Sequence, residues 1–183
     1  MSDSMRDVTP GPPKVDVRAL MQYLIEFAKN PMSRMTQLPN WHWSSLFVVQ
    51  ILLAVVSGAI AGIIKLNFYR VAFGIILMPI ISTLAALLLA LVLYYYFQFF
   101  EKRTESYRKL FTLVILSSIP FYLFQILSEY FPPITLIGFA FTALLAIVGL
   151  NENFGVSKNR AYQIIGILFA LVLLAWVVNW RSA

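Results

Sequence analysis

Few side chains in this sequence could carry out acid–base or metal chemistry. The chain has no cysteine and a single histidine, His42, which stands between Trp41 and Trp43. A metal site or a histidine-based triad would have to be built around that residue. A histidine between two tryptophans beside a long apolar stretch is more typical of a membrane interface. We therefore expect no catalytic residue, no metal and no cofactor, and an enzyme is the least favoured class of function.

Three glutamines, Gln50, Gln125 and Gln163, fall in or beside apolar stretches. An amide is costly to expose to hydrocarbon, so these side chains are expected to face the protein interior. They either bond between helices or line a polar groove, and the sequence leaves both open. No charged residue lies within these stretches. This absence disfavours ion-coupled transport and intramembrane proteolysis, which need ionisable or paired catalytic groups.

The composition indicates an integral membrane protein. Of the 183 residues, 60% are hydrophobic and only 12% are charged, against about 25% charged residues in a soluble domain. The net charge of +6 then favours the anionic headgroups of membrane lipids as partners rather than nucleic acid.

Five apolar stretches are long enough to cross a bilayer as helices. They lie at residues 45–64, 71–100, 110–127, 134–150 and 161–178. The predicted fold class is therefore all-α, a bundle of five transmembrane helices occupying residues 44–183. Pro79 interrupts the second stretch, which is either one long kinked helix, the preferred reading, or a span that begins at Pro79 after an interfacial segment at 71–78.

Residues 1–14 are predicted to be a disordered tail, and residues 15–43 to hold an amphipathic interfacial helix followed by an aromatic approach to the first span. Apolar residues recur on one face of this helix, namely Val17, Leu20, Met21, Leu24, Ile25 and Ala28. Asn30 and Pro31 are typical of a helix start, so a second short turn is expected, with Met32, Met35 and Leu38 facing the membrane. The helix could instead pack on the ends of the spans or bind a protein partner.

The basic residues are distributed unevenly between the two sides. The side with the N-terminus and the second and fourth loops holds eleven of the fourteen Lys and Arg residues, and the other side holds three. The positive-inside rule then places the N-terminus in the cytoplasm and the C-terminus outside. We expect a platform for headgroups or a protein partner, formed by Lys102, Arg103, Arg108, Lys109, Lys158 and Arg160.

Ala54, Gly58 and Gly62 form a row of small residues in the first span. Such rows allow two helix backbones to approach closely. The row serves either packing within the chain or self-association of copies.

Several short motifs, taken together with the span order, are similar to a known family. They are Asn30-Pro31, the segment Ser106-Tyr107-Arg108-Lys109-Leu110, the segment Ser118-Ile119-Pro120, and the entry to the fifth span at Val156-Ser157-Lys158-Asn159-Arg160-Ala161. The chain resembles the Yip family of Ypt/Rab-interacting membrane proteins, in particular its compact bacterial members. The resemblance implies a five-helix membrane domain with a cytoplasmic N-terminus, here in a bacterial inner membrane. Eukaryotic relatives act in vesicle trafficking, bind small GTPases and associate with one another. The resemblance supplies no active-site residue.

Two functions follow as hypotheses. The first is a non-enzymatic, membrane-organising or trafficking-like adaptor that self-associates and recruits a partner at its cytoplasmic face. The alternative is a lipid scramblase, small channel or transporter that uses a polar groove containing Gln50 and Gln125.

Overall fold

The computed structural model describes residues 15–182, without the side chains of Trp176, Asn179, Trp180, Arg181 and Ser182. The predicted tail at 1–14 lies outside the described residues. Within them the chain is all helical and contains no strand. The helices are α1 (Val17–Lys29), α2 (Pro31–Met35), α3 (Trp43–Ile64), α4 (Phe68–Phe99), α5 (Tyr107–Ser117), α6 (Ile119–Ser128), α7 (Ile134–Phe154) and α8 (Lys158–Ser182).

Five helical stretches are long and apolar enough to cross a membrane, which confirms the predicted fold class. They are α3, α4, the α5–α6 pair, α7, and α8 as far as Ala175. The second is one continuous helix that passes through Pro79, so residues 71–78 belong to it. It also begins earlier than predicted, because the Asn67 side chain accepts the backbone N–H of Arg70 at 3.2 Å and caps the first turn.

The third stretch is two helices rather than the single predicted span. The helical conformation breaks at Ser118, and Pro120 lies in the first turn of α6. Proline lacks a backbone N–H and therefore suits the start of a helix better than its interior. The hydroxyls of Ser117 and Ser118 both donate to the carbonyl of Val114, at 3.0 and 2.7 Å, and this carbonyl also accepts the backbone N–H of Ser118 at 3.1 Å.

The turn between α7 and α8 is much shorter than the segment 151–160 that separates the fourth and fifth predicted spans. Helix α7 continues to Phe154, and Gly155 then adopts a left-handed conformation with φ of 60°. The backbone N–H of Gly155 donates to Asn151 and that of Val156 donates to Leu150, at 3.1 and 3.2 Å. The bond from Gly155 to Asn151 is that of a left-handed (αL) helix ending, which glycine permits because it has no Cβ. Helix α8 starts at Lys158, only three residues later.

Helices α3 and α4 form the most extensive helix pair in the described chain. A Cβ atom at Gly58 would lie 2.6 Å from the carbonyl oxygen of Gly74, and one at Gly62 would lie 2.6 Å from the amide nitrogen of Val71. Ala54, Gly58 and Gly62 are all buried. The small-residue row therefore packs against α4 inside one chain and is not free for contact between copies.

This close approach predicts the effect of a single added methyl group. Gly58→Ala should lower the free energy of unfolding by about 1–3 kcal/mol, because the new Cβ meets backbone that cannot move aside. Gly166→Ala is the matched control, since nothing lies within 4 Å of a Cβ at that position in α8. Denaturant titration in mixed micelles measures both, and equal stability of the two variants would contradict the packing described here.

Candidate functional site

The N-terminal helices are fixed to one end of the bundle by the side chain of Asn153 in α7. Its Nδ2 donates to the backbone carbonyl of Met35 at 2.7 Å, and its Oδ1 accepts the backbone N–H of Leu38 at 2.9 Å. This end carries α1, α2, the segment 100–106 and the turn 155–157, and we call it the basic end. The three parts of the chain that the charge count placed on one side therefore lie together.

Helix α1 uses only part of its apolar face to contact the bundle. Leu20 and Phe27 are buried, Phe27 to 1% exposure, whereas Val17, Met21 and Ile25 form an outer row that is about half exposed. The helix therefore packs on the ends of the spans, one of the alternatives that the sequence left open, and still presents an apolar row outward. Asp16 and Asn30 cap α1 and α2, accepting the N–H groups of Ala19 and Ser33. The sequence predicted the cap at Asn30 but not the one at Asp16.

The expectation that Met35 faces the membrane is wrong. Met35 is fully buried, and a Cβ at Gly149 of α7 would lie 2.9 Å from its terminal methyl group. The absence of a side chain at Gly149 leaves space that Met35 and Leu113 fill together. A glycine on a distant helix decides this, so the local sequence around Met35 carries no signal for it.

Two of the predicted platform cations bind the carbonyl end of α7. The Arg103 guanidinium donates to the carbonyl of Phe154, and the Lys109 ammonium donates to the carbonyl of Asn153 at 2.8 Å. Both cations also lie over aromatic rings, Arg103 at 4.9 Å from the centre of Phe97 and Lys109 at 4.8 Å from that of Phe154. A helix C-terminus carries partial negative charge, so these contacts stabilise the end of α7.

Arg160 at the start of α8 pairs with Glu101, two residues beyond the end of α4, with 2.9 Å between Nη1 and Oε1. The hydrogen bond from Arg160 holds the pKa of the Glu101 carboxyl below its usual value, while desolvation acts in the opposite direction. A carboxyl with a lowered folded-state pKa contributes stability at neutral pH, and loses it as the pH falls through that pKa. The pair therefore ties α4 to α8 under ordinary conditions.

The other three platform residues differ in their surroundings. Arg108 donates to the Asn40 side chain at 2.8 Å. Lys102 and Lys158 are exposed and make no hydrogen bond or ion pair with any described residue. All six predicted platform residues thus lie at the basic end, and four of them are engaged within the chain.

A polar cluster lies inside the bundle, where α3, α4 and α6 meet. Gln50, which is fully buried, donates to the hydroxyl of Tyr122 at 2.7 Å and to that of Ser82 at 3.4 Å. Ser57 donates to the backbone carbonyl of Tyr122 at 2.9 Å and lies 3.5 Å from Gln125 Oε1. Gln50 and Gln125 are thus brought into one cluster. The Oε1 of Gln50 has no partner among the described residues.

Gln163 is not part of this cluster, contrary to the expectation that it faces the interior. It is exposed on α8, which contacts α7 but no other helix in the described chain. Only one side of α8 packs against another helix of the described chain. Gln163 lies on the side that does not, near the basic end, and is therefore exposed.

A cavity of about 510 Å³ borders the polar cluster within the membrane-spanning region. Its lining comes from α4, α5, α6, α7 and α8, and the backbones of α4 and α8 do not pack directly against each other in the described chain. Its surface is mostly apolar, with hydroxyls from Ser82, Ser117, Ser118, Tyr122 and Thr142. The Thr142 hydroxyl is buried without a partner in the described chain. These groups can bind an apolar molecule with a few hydrogen-bonding atoms, but they contain no acid or base for catalysis.

Other candidate chemistry is not supported by the geometry. His42 is exposed and precedes α3 without a side-chain capping bond. Across the described residues, no group of three or more His, Asp and Glu side chains is arranged to hold a metal ion.

Three residues that matter in the structure were missed from the sequence, namely Asn153, Tyr122 and Gly74. Asn153 falls between the fourth and fifth predicted spans, where the sequence predicts a loop. Its spacing continues the helical periodicity of α7, which was a signal for a longer helix. Tyr122 was one aromatic residue among many in an apolar stretch. Gly74 belongs to no row of small residues, so its partnership with Gly58 had no sequence signal.

Comparison with known proteins gives one family match. The model of the Yip1 domain matches residues 26–179, which include the last turn of α1, the polar cluster and all five membrane-spanning stretches. Neither the curated proteins nor the solved structures contain a significant match.

The two hydrogen bonds of Asn153 predict a local effect of its removal. Asn153→Ala should release residues 17–38 from the bundle, because two partly buried backbone groups lose their partner at a cost of roughly 1–3 kcal/mol. Hydrogen exchange should accelerate in α1 and α2 and stay unchanged in α3 and α4. Asn159→Ala, at an exposed position of the same end, is the control. Unchanged exchange in α2 would refute the role of Asn153.

Proposed function

The chain belongs to the Yip1 domain family, and from that premise we propose that it is a non-enzymatic, membrane-organising adaptor. In this proposal the basic end faces the cytoplasm and recruits a protein partner, and copies of the chain associate in the membrane. The membrane is the inner membrane of a bacterium, the N-terminus is cytoplasmic and the C-terminus is outside.

The charge distribution supports this orientation. Eleven of the fourteen basic residues belong to the N-terminus and to the second and fourth loops. The contacts of Asn153, Arg103 and Arg160 join these parts of the chain at one end. Positively charged segments are retained in the cytoplasm during insertion, so a single basic end predicts a single cytoplasmic face.

The outer row of α1 is the observation that carries the adaptor role. Val17, Met21 and Ile25 stand on a helix whose adjacent apolar residues, Leu20 and Phe27, are buried against the bundle. The row is therefore held in a fixed orientation, so little conformational entropy of α1 is lost when a partner binds. An apolar row at i, i+4 and i+8 fits a groove on a partner protein.

Self-association, if it occurs through the spans, must use a surface other than the small-residue row. Gly58 and Gly62 are occupied by α4 of the same chain. Helix α8 is the most open element, since it packs against α7 alone in the described chain. We place the contact between copies on α8.

A photo-crosslinking amino acid at Met21 tests the adaptor role in native membranes. We expect a discrete adduct with a cytoplasmic protein at Met21 and adducts with lipid alone at Leu84, an exposed position in the middle of α4 that serves as the control. The same probe at Ile167, exposed on α8, should give an adduct of twice the chain's mass. If Met21 gives adducts with lipid only, partner recruitment by α1 is refuted. If Ile167 gives adducts with lipid only, the contact between copies on α8 is refuted.

The cavity between α4 and α8 favours a second function, the handling of lipid. An opening between two spans, apolar but lined with hydroxyls, can accept a lipid tail and ease the passage of its polar part. The buried Thr142 hydroxyl offers an unused hydrogen bond at this site.

Reconstitution in liposomes tests this second function with a matched pair of variants. Ala85 lines the cavity, whereas its neighbour Leu84 is exposed and does not. If the protein moves labelled phospholipid between leaflets, Ala85→Phe should slow the movement by about tenfold by filling the opening, and Leu84→Phe should leave it unchanged. Equal rates in protein-containing and protein-free liposomes would reject lipid movement as a function.

A further inference from the structure

A second, smaller cavity lies at the basic end, and a larger share of its lining is polar than in the first cavity. It has a volume of about 270 Å³. One wall is the segment between α2 and α3, and the other is the start of α5. The lining residues are Leu38, Pro39, Asn40, Trp41, Ser106, Arg108, Lys109 and Thr112. It is separate from the cavity between α4 and α8, with which it shares no lining residue.

Two cations line this cavity without a carboxylate partner. In the described part of the chain, Arg103 pairs with Glu105 and Arg160 pairs with Glu101, but neither Arg108 nor Lys109 forms an ion pair. Their only hydrogen bonds go to neutral oxygens, those of the Asn40 amide and the Asn153 backbone. Each bond leaves other N–H groups of the same cation available to a ligand.

Two partly buried positive charges around one polar cavity favour an anion. Each cation has lost part of its hydration, and neutral oxygens replace it only in part. A phosphate group supplies several charged oxygens at once, and a guanidinium can bind two of them in parallel. Ser106 adds an exposed hydroxyl at the rim, and its side chain is not used to cap α5.

The position of the cavity identifies the source of the phosphate. Its walls lie where the apolar stretches beginning at Trp43 and Tyr107 start, which is the level of lipid headgroups. Trp41 lines it, and tryptophan is enriched at this depth of a membrane. Basic pockets between transmembrane helices are suited to anionic lipid headgroups.

From these observations we infer that the cavity binds the phosphate of an anionic phospholipid, with Arg108 and Lys109 as its ligands. The inference goes beyond the proposed adaptor role and does not depend on it. A bound headgroup would join the segment before α3 to the start of α5, since the cavity lies between them.

Titration of the full chain with phosphatidylglycerol in phosphatidylcholine nanodiscs tests the site. Binding is measured by native mass spectrometry and by the rise in melting temperature. We expect phosphatidylglycerol to bind the unmodified chain and Arg108→Gln to weaken binding by about tenfold, the loss of one charge-assisted contact. Lys102→Gln combined with Lys158→Gln is the control, because it removes two exposed charges from the same end but none from the cavity.

Each other outcome overturns the inference. Equal weakening in the control would show diffuse attraction between the surface and the membrane. Undiminished binding in Arg108→Gln would show that the cavity is not the site. Displacement of the lipid by inorganic phosphate at equal concentration would identify a soluble anion as the ligand. The one hydrogen bond of the Arg108 guanidinium in the described chain goes to the exposed Asn40 side chain, so the variant is expected to fold, and its melting temperature in pure phosphatidylcholine checks this.

Discussion

The carbonyl end of α7 is the point on which the basic end of this protein depends. The last carbonyls of a helix have no partner within the helix and must find one elsewhere. Here Lys109 binds the carbonyl of Asn153, and Arg103 binds that of Phe154. The Asn153 side chain then holds the backbone between α2 and α3. The need to satisfy one helix end thus brings together α2, α5 and the segment after α4.

The helices of the bundle pack in two contrasting ways. Gly58 and Gly74 let α3 and α4 meet at backbone distance, which gives a tight contact without requiring a hydrophobic driving force between helices. Helices α4 and α8 are instead joined at the basic end by the Glu101–Arg160 pair and separate towards the membrane centre around the larger cavity. A closely packed pair of helices and an open region therefore coexist, and the open region supports the proposal of a lipid-accessible opening.

The six basic residues at the basic end perform different local tasks. Arg103 and Lys109 cap a helix, Arg160 ties two spans together, and Arg108 with Lys109 lines a polar cavity. Lys102 and Lys158 remain at the surface. The six residues carry the same charge but have different structural roles. The role of each cation depends on which acceptor oxygen lies within hydrogen-bonding distance.

The sequence by itself determined what depends on neighbouring residues and on the bilayer. Apolar length predicted five spans, periodicity predicted α1, and Asn30 with Pro31 predicted the start of α2. The motifs also led to the family that the Yip1 domain match shows.

The tertiary structure decided which distant residues meet. Asn153 bonds to the backbone of Met35, 118 positions away, and Gln50 to Tyr122, 72 positions away. It also buried Met35 beside Gly149 and left Gln163 exposed. Local patterns constrain dihedral angles and the face of a helix, whereas these contacts depend on how whole helices cross, which no single stretch of sequence encodes.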